Sequence, residues 1–192
     1  AVDRLLTGLE KKNRVINPKE KERVAEQVVL GEVSTGAHND LQRATDLFAD
    51  EHKRTGGMDG FCSLEVSPVL AFETDRTIEQ AARLHGQAER DNLYVKIPGT
   101  KEGNPAIEES IFAGIPINVT LLFSLSQYEA IARAYIDGIE ARVAAGEPVS
   151  HIASVASFFV SRVDSMVDKR LSKEQPALEP TLRGKAAIAN AK

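Results

Sequence analysis

LYVKIPGT, residues 93–100, is the stretch from which the rest of the chain is best understood. Apolar, aromatic and β-branched residues surround a single charge, and Pro98 and Gly99 close the run. This composition predicts a short β-strand that ends at a turn. Because side chains alternate across a strand, one face should carry only apolar residues, namely Leu93, Val95 and Ile97. Tyr94 and Lys96 should share the other face.

Lys96 has two interpretations. Most lysines of a protein are solvated surface charges, and an edge strand with a wet face accommodates one easily. A lysine inside an apolar strand instead loses its hydration, which favours the neutral, nucleophilic amine. That amine is the species that forms a Schiff base with a carbonyl compound. Evidence from the rest of the sequence is needed to distinguish a surface lysine from a nucleophilic one.

Composition narrows the class of protein. The 192 residues suffice for one domain with a sizeable core, and the 42% hydrophobic and 27% charged residues are ordinary for a globular protein. The formal net charge of -4 argues against nucleic acid or an anionic membrane as a partner. No apolar run approaches the roughly 18 residues of a transmembrane helix, and the first residues do not resemble a signal peptide.

Cysteine and histidine usage indicates neither a disulfide framework nor a metal site. The single cysteine, Cys62, cannot form an intrachain disulfide, which predicts a reducing, cytoplasmic setting. The four histidines are scattered through polar surroundings without the spacing of metal ligands: His38, His52, His85 and His151. We therefore expect no metal.

The first third of the chain predicts two helices and a strand. Asn17-Pro18 is a typical helix start, so residues 1–38 are expected to be helical, although no chemistry can be assigned to them. Apolar residues at helical spacing follow Asn39, and glycines 56–57 end that helix. Residues 61–68 then alternate between apolar and polar side chains, which predicts a strand with Glu65 on its polar face.

The remaining elements alternate in the same way. Thr74 is expected to cap a helix before the Lys96 strand, and Asn104-Pro105 to open the helix after it. Residues 115–124 read as a strand with Leu121 and Phe123 on its apolar face and Leu122 on the other. Ser124 and Gln127 have the spacing of a capping box for a helix that reaches Gly146. A fourth strand over 152–160, a helix through 171 and a helix-like stretch over 184–192 complete the prediction.

Strands that alternate with helices predict right-handed βαβ units and a parallel sheet. The first two strands are more polar than the strands of a doubly wound sheet usually are. That polarity suits a (β/α)8 barrel of the TIM type, in which side chains at the carboxyl ends of the strands surround one site. Only about four central βα units are evident in this chain.

Each predicted strand contributes polar groups to that proposed centre. They are Glu65, Lys96, Asn118 and Thr120, and Ser157. Taken singly, each has a structural explanation: Glu65 as an ion-pair partner, Asn118 and Thr120 as a local hydrogen-bond network, and Ser157 as a small packing residue. These separate explanations do not account for the recurrence of polar residues at the same point of successive βα units.

This set of side chains suits carbon–carbon bond cleavage through a Schiff base. A carbinolamine must lose water and a hydroxyl group must lose its proton, so a carboxylate near Lys96 is needed to carry protons. Thr120 is suited to hold a relay water, and Asn118 to orient hydroxyl groups. Arg162, just past the last strand, is suited to bind a phosphate, or alternatively forms a surface ion pair with Asp164 or Asp168.

Four ordered stretches resemble the transaldolase family. They are SLEVSP (63–68), VKIPGTKEG (95–103), INVTLLFSLSQY (117–128) and SVASFFVSRVD (154–164). With the helices between them they cover roughly residues 40–192. The SVASFFVSR segment is similar to that of a bacterial branch of the family.

The resemblance implies a Schiff-base lysine at Lys96 and an acid/base residue at Glu65 that works through a water held by Thr120. It further implies donor-sugar contacts from Asn118 and Ser157 and phosphate binding by Arg162. Members move a dihydroxyacetone unit between sugar phosphates, from sedoheptulose 7-phosphate to glyceraldehyde 3-phosphate, in the pentose phosphate pathway. They use no cofactor. Sugar phosphates are the expected partners, and a homo-oligomer is a further expectation.

Parts of the family pattern have no counterpart here. An aspartate on the first barrel strand and a Thr-Asn-Pro segment on the second are not found in residues 1–60. Four strands cannot close a barrel, so residues 1–192 are expected to form a single but incomplete barrel domain, with residues 39–192 as its transaldolase-like units. Two alternatives stay open: an enzyme like fructose 6-phosphate aldolase, a group that resembles this site but uses a tyrosine as its acid/base residue, and an inactive truncated fragment that acts as an interaction module.

Overall fold

A computed structural model describes the backbone of residues 35–192 and the side chains from Asp40 onward. The predicted helix before residue 35 lies outside the described residues. The four strands are β1 (Cys62–Glu65), β2 (Leu93–Pro98), β3 (Ile117–Leu122) and β4 (Ser154–Phe158). The helices are α1 (Thr35–Arg54), α2 (Thr74–Ala88), α3 (Gly103–Phe112), α4 (Leu125–Ala145), α5 (Val160–Glu174), α6 (Glu179–Leu182) and α7 (Lys185–Asn190), with a 3₁₀ turn at Pro68–Leu70.

The four strands form one parallel sheet in the order β1-β2-β3-β4. The predicted alternation of strands and helices is therefore confirmed. Parallel neighbours need a crossover connection, and α2, α3 and α4 supply it between successive strands. The register sets Lys96 opposite Glu65 on one side and opposite Asn118 on the other.

The two faces of the sheet differ as the alternation predicts. Leu93, Val95 and Ile97 are fully buried in the apolar core that the sheet shares with its helices. Cys62 lies in the same core, and burial raises the pKa of its thiol to about 12, so the thiol stays protonated. The opposite face carries Ser63, Tyr94 and Lys96, which line a cleft described below.

The predicted alternation of β3 is wrong beyond Thr120. Leu121 adopts a positive φ of 64°, and the pairing with β4 shifts register between Val119 and Leu122. One extra residue in a strand reverses the facing of every later side chain. Leu122 is therefore buried in the core, whereas Leu121 and Phe123 are exposed, the reverse of the expectation. A bulge of this kind leaves no mark on a hydrophobic pattern.

The structure confirms the predicted helix cap at Ser124 and contradicts the one predicted at Thr74. Ser124 caps α4 as predicted: its side chain accepts a hydrogen bond from the Gln127 amide, and Gly146 ends the helix in a left-handed conformation. Thr74 is not a cap. Glu73 occupies that position, and the Thr74 hydroxyl donates instead to the carbonyl of Glu102, which ties α2 to the start of α3.

Gly138 permits close packing of α3 against α4. A methyl group at Gly138 would lie 2.7 Å from the Glu108 carbonyl oxygen and 2.9 Å from the Ile111 side chain. Gly86, on the exposed side of α2, has open space around the same position. These two helical glycines therefore form a matched pair for one substitution.

We expect Gly138→Ala to lower the free energy of unfolding by about 1–3 kcal/mol, because the added methyl overpacks a tight helix contact. Gly86→Ala should raise it by about 0.5 kcal/mol, because alanine restricts the unfolded chain and meets nothing in the folded one. Urea unfolding of both variants measures the difference. Equal stability of the two variants would contradict the close contact between α3 and α4.

The carboxyl-terminal elements pack mainly on one another. The Asp164 carboxylate accepts a hydrogen bond from the Ala187 amide, and Asp168 accepts one from the Gly184 amide. These contacts hold α7 against α5. The helices in the described part of the chain are too short or too polar to span a lipid bilayer.

Candidate active site

The polar face of the sheet forms one wall of a cleft of about 540 Å³, which we call the Lys96 cleft. All four strands, the loop before β1 and the first turn of α5 contribute to it. Its lining side chains are Met58, Asp59, Phe61, Ser63, Tyr94, Lys96, Asn118, Thr120, Val155, Ala156, Ser157, Phe158, Phe159, Val160, Ser161 and Arg162. Five of the six residues singled out from the sequence are among them, and the sixth, Glu65, contacts Lys96.

Lys96 is not a solvated surface charge. Its side chain is 12% exposed, and its Nζ lies 3.7 Å from Oε2 of Glu65, whose side chain is 23% exposed. The two residues are direct neighbours in the register of β1 and β2. The contact between Glu65 and Lys96 serves both interpretations of Glu65. It is an ion pair, and it places the carboxylate where it could carry protons to and from the amine. A carboxylate at this distance can exchange protons with the amine through one bridging water.

Asn118 is held between two serines. Its Nδ2 donates to the Ser63 hydroxyl at 3.1 Å, and the Ser157 hydroxyl donates to its Oδ1 at 2.7 Å. The local network expected for Asn118 therefore exists, but Ser157 and not Thr120 takes part in it. Sequence reasoning missed Ser63 as a site residue, although its place two residues before Glu65 on the polar face of β1 was a usable signal.

Thr120 has hydrogen-bonding capacity to spare. Its side chain is 1% exposed, and its Oγ1 has no hydrogen-bond partner among the described residues. Buried hydroxyl groups are normally paired, so an unpaired one beside a cleft indicates a place where a bound molecule completes the network.

Arg162 offers a positive charge at the mouth of the Lys96 cleft. It lies in the first turn of α5, exposed, with its guanidinium 4.8 Å from the centre of the Phe159 ring. No ion pair joins it to a carboxylate within the described part of the chain. The alternative partners, Asp164 and Asp168, accept hydrogen bonds from backbone amides of the carboxyl-terminal segment instead. An exposed guanidinium of this kind suits a phosphate or another anion.

An aromatic wall completes the cleft and was not foreseen. Phe61 stacks on Tyr94 with ring centres 4.1 Å apart, and His52 meets Phe61 edge-on. Burial raises the pKa of the Tyr94 phenol to about 12, with smaller contributions from Asp59 and Tyr135, so the phenol is neutral. Tyr94 was placed on the Lys96 face by alternation, but the loop residues before β1 gave no sequence signal.

Metal ligation has no support in the part of the chain that the structure describes. No group of three His, Cys, Asp or Glu side chains there is arranged to hold a metal ion. The polar groups of the Lys96 cleft are an amine, a carboxylate, an amide, a guanidinium and hydroxyls, which suit a hydroxylated, anionic organic molecule.

Comparison with protein families matches residues 16–192 to the transaldolase/fructose-6-phosphate aldolase family. Curated relatives are named transaldolase. That of Parafrankia sp. (strain EAN1pec) is 50% identical over 153 residues, covering 80% of this chain and 42% of that protein. That of Trichodesmium erythraeum (strain IMS101) is 47% identical over 161 residues, with 80% and 42% covered.

A third relative, the transaldolase of Mycobacterium ulcerans (strain Agy99), is 46% identical over 160 residues, covering 83% of this chain and 43% of that protein. The chain thus spans about two-fifths of the length of the curated relatives it matches. The family has a TIM-barrel fold, to which a parallel sheet with helical crossovers conforms. The parallel sheet and the family match over residues 16–192 agree: this chain belongs to the transaldolase/fructose-6-phosphate aldolase family.

Proposed function

We propose that this chain carries the Schiff-base site of a transaldolase, a transferase of dihydroxyacetone units between sugar phosphates. The observation that carries the proposal is the Lys96 amine, largely buried on the polar face of the sheet and 3.7 Å from the Glu65 carboxylate. The transaldolase names of the relatives support it. The site residues are proposed from their geometry and from the family resemblance.

The reaction begins when the neutral Lys96 amine adds to the C2 carbonyl of a ketose phosphate. The resulting carbinolamine takes a proton and loses water to give an iminium ion, and Glu65 supplies that proton through a water held by Thr120. Glu65 then accepts the proton of the C4 hydroxyl group as the C3–C4 bond breaks. The aldose phosphate leaves, and the dihydroxyacetone unit stays on Lys96 as an enamine.

Transfer completes the cycle by the reverse steps. The enamine adds to the carbonyl carbon of an acceptor aldose phosphate, whose oxygen takes up a proton from Glu65, and water then releases the new ketose from Lys96. Asn118 and Ser157 hold hydroxyl groups of the donor, since their amide and hydroxyl groups face the Lys96 cleft. Arg162 binds the phosphate group by its charge.

We infer sedoheptulose 7-phosphate and glyceraldehyde 3-phosphate as substrates, with erythrose 4-phosphate and fructose 6-phosphate as products, in the pentose phosphate pathway. The chemistry needs no metal or organic cofactor, because Lys96 itself provides the electron sink. A single buried cysteine supports a reducing cytoplasm as the setting. We also propose that the chain forms a homo-oligomer, and size-exclusion chromatography tests this association.

An aldolase that releases free dihydroxyacetone is the second candidate, because the family includes fructose-6-phosphate aldolases. Glu65 beside Lys96 favours the transferase, since the resemblance assigns a tyrosine to this role in the aldolases. Cleavage of fructose 6-phosphate with and without erythrose 4-phosphate separates the two. A transferase turns over only with the acceptor, whereas a rate that ignores the acceptor would establish the aldolase.

Covalent trapping tests the proposal directly. The chain is incubated with fructose 6-phosphate and sodium borohydride, and its intact mass and peptides are measured. We expect one reduced dihydroxyacetone adduct, on the peptide that contains Lys96. A chain that circular dichroism shows to be folded but that forms no adduct would overturn the proposal and favour an inactive interaction module.

A further inference from the structure

The Lys96 cleft contains a buried serine to which the proposed reaction assigns no role. Ser63 lies on β1 and is 8% exposed. Its hydroxyl oxygen accepts the hydrogen bond from Nδ2 of Asn118. This bond joins β1 to β3, which are not neighbours, because β2 lies between them. A side-chain hydrogen bond between two strands that are not neighbours is not part of the backbone pairing of the sheet, so it needs a separate explanation.

The bond between Ser63 and Asn118 crosses the strand that carries Lys96. In the sheet register Ser63 is paired with Tyr94, and Asn118 is paired with Lys96. The line from Ser63 to Asn118 therefore passes over β2 between Tyr94 and Lys96. Residues two apart on one face of a strand are separated by about 7 Å, which leaves room for an amide group. The hydrogen bond thus lies next to the Lys96 side chain, close to the backbone of β2.

The two serines together hold both ends of the Asn118 amide group. An amide side chain has one acceptor oxygen and two N–H donors. Ser157 donates to the oxygen, and Ser63 accepts from one N–H. The second N–H meets no acceptor among the described residues and is left for an oxygen atom in the Lys96 cleft. Rotation of the amide by half a turn would require both serine hydroxyl groups to exchange their donor and acceptor roles.

We propose that Ser63 is a positioning residue for the reaction described above. It holds the Asn118 amide so that the second N–H is presented to a hydroxyl group of the substrate bound at Lys96. The inference rests on the proposed function and adds to it a residue that acts through another. Orientation of a bound substrate contributes to the rate because the reacting atoms must meet in a narrow range of geometries.

Kinetics of Ser63→Ala give the first test. We expect borohydride trapping at saturating fructose 6-phosphate to slow about tenfold, because the misoriented amide no longer aligns the substrate. Ser63→Thr, which keeps the hydroxyl group, should restore most of the rate. Ser172→Ala, an exposed serine of α5, is the matched control and should trap as the wild type does. Wild-type trapping by Ser63→Ala would overturn the proposal.

Nuclear magnetic resonance of the Asn118 side-chain amide gives a second test that needs no turnover. Its resonance is identified by its loss in Asn118→Asp. We expect its exchange with solvent to be about tenfold faster in Ser63→Ala, because one hydrogen bond is lost, and unchanged in Ser172→Ala.

The two tests separate the failure of the proposal from that of the reaction. A chain that forms the adduct while the Asn118 resonance ignores Ser63→Ala would overturn the role of Ser63 alone. A chain whose Asn118 resonance responds but that forms no adduct would overturn the reaction, and with it the positioning role, while the contact itself stands.

Discussion

Lys96→Met should abolish the covalent adduct and reduce turnover by at least roughly 10³-fold, because in the proposed reaction the Lys96 amine carries the dihydroxyacetone unit. Methionine keeps the length and the apolar stem of lysine, so the strand should still pack. The loss should therefore come from chemistry, with only a small change in the unfolding midpoint. Intact-mass spectrometry after borohydride treatment measures the adduct, and a coupled assay measures turnover.

Lys101→Met is the matched control. Lys101 lies five residues further along, in the exposed turn between β2 and α3. A variant at this position removes the same charge from the same neighbourhood but not from the Lys96 cleft. We expect full adduct formation and turnover. An adduct that persists in Lys96→Met and disappears in Lys101→Met would show that the nucleophile has been assigned to the wrong lysine.

Glu65→Gln should slow turnover by about 10²–10⁴-fold, the usual contribution of a positioned acid/base group. Glutamine keeps the shape and hydrogen-bonding capacity of glutamate but cannot carry a proton. It also removes the negative charge 3.7 Å from the Lys96 amine. The adduct should still form with fructose 6-phosphate, only more slowly, because the nucleophile remains.

Single-turnover mixing followed by borohydride quenching measures the two effects separately. Glu129→Gln is the control, since Glu129 is exposed on α4 and lies outside the Lys96 cleft. It should behave as the wild type does. A Glu65→Gln variant with less than a threefold change in turnover would remove Glu65 from the proposed mechanism and leave it as a structural partner of Lys96.

Local patterns in the sequence were enough to predict the order of the elements and the faces of most strands. Alternation depends only on local backbone geometry, so Lys96 and Tyr94 could be assigned to one face and Val95 to the other without knowledge of the neighbours. The caps at Ser124 and Gly146 are local for the same reason, because the groups they satisfy lie within one turn of the helix. The recurrence of polar residues along successive strands was likewise readable, and it led to four of the cleft residues and to Glu65.

Which of these groups meet could not be predicted in this way, because contacts across strands depend on the register of the sheet. The bulge at Leu121 reversed the end of β3, and Thr74 bonded to the distant Glu102 carbonyl instead of capping its own helix. The link from Asn118 to Ser63 spans 55 residues of sequence and crosses a strand, so no local pattern could announce it. The fold brings together the side chains that act as one site. The sequence alone shows which residue types suit the chemistry, but not which of them come into contact.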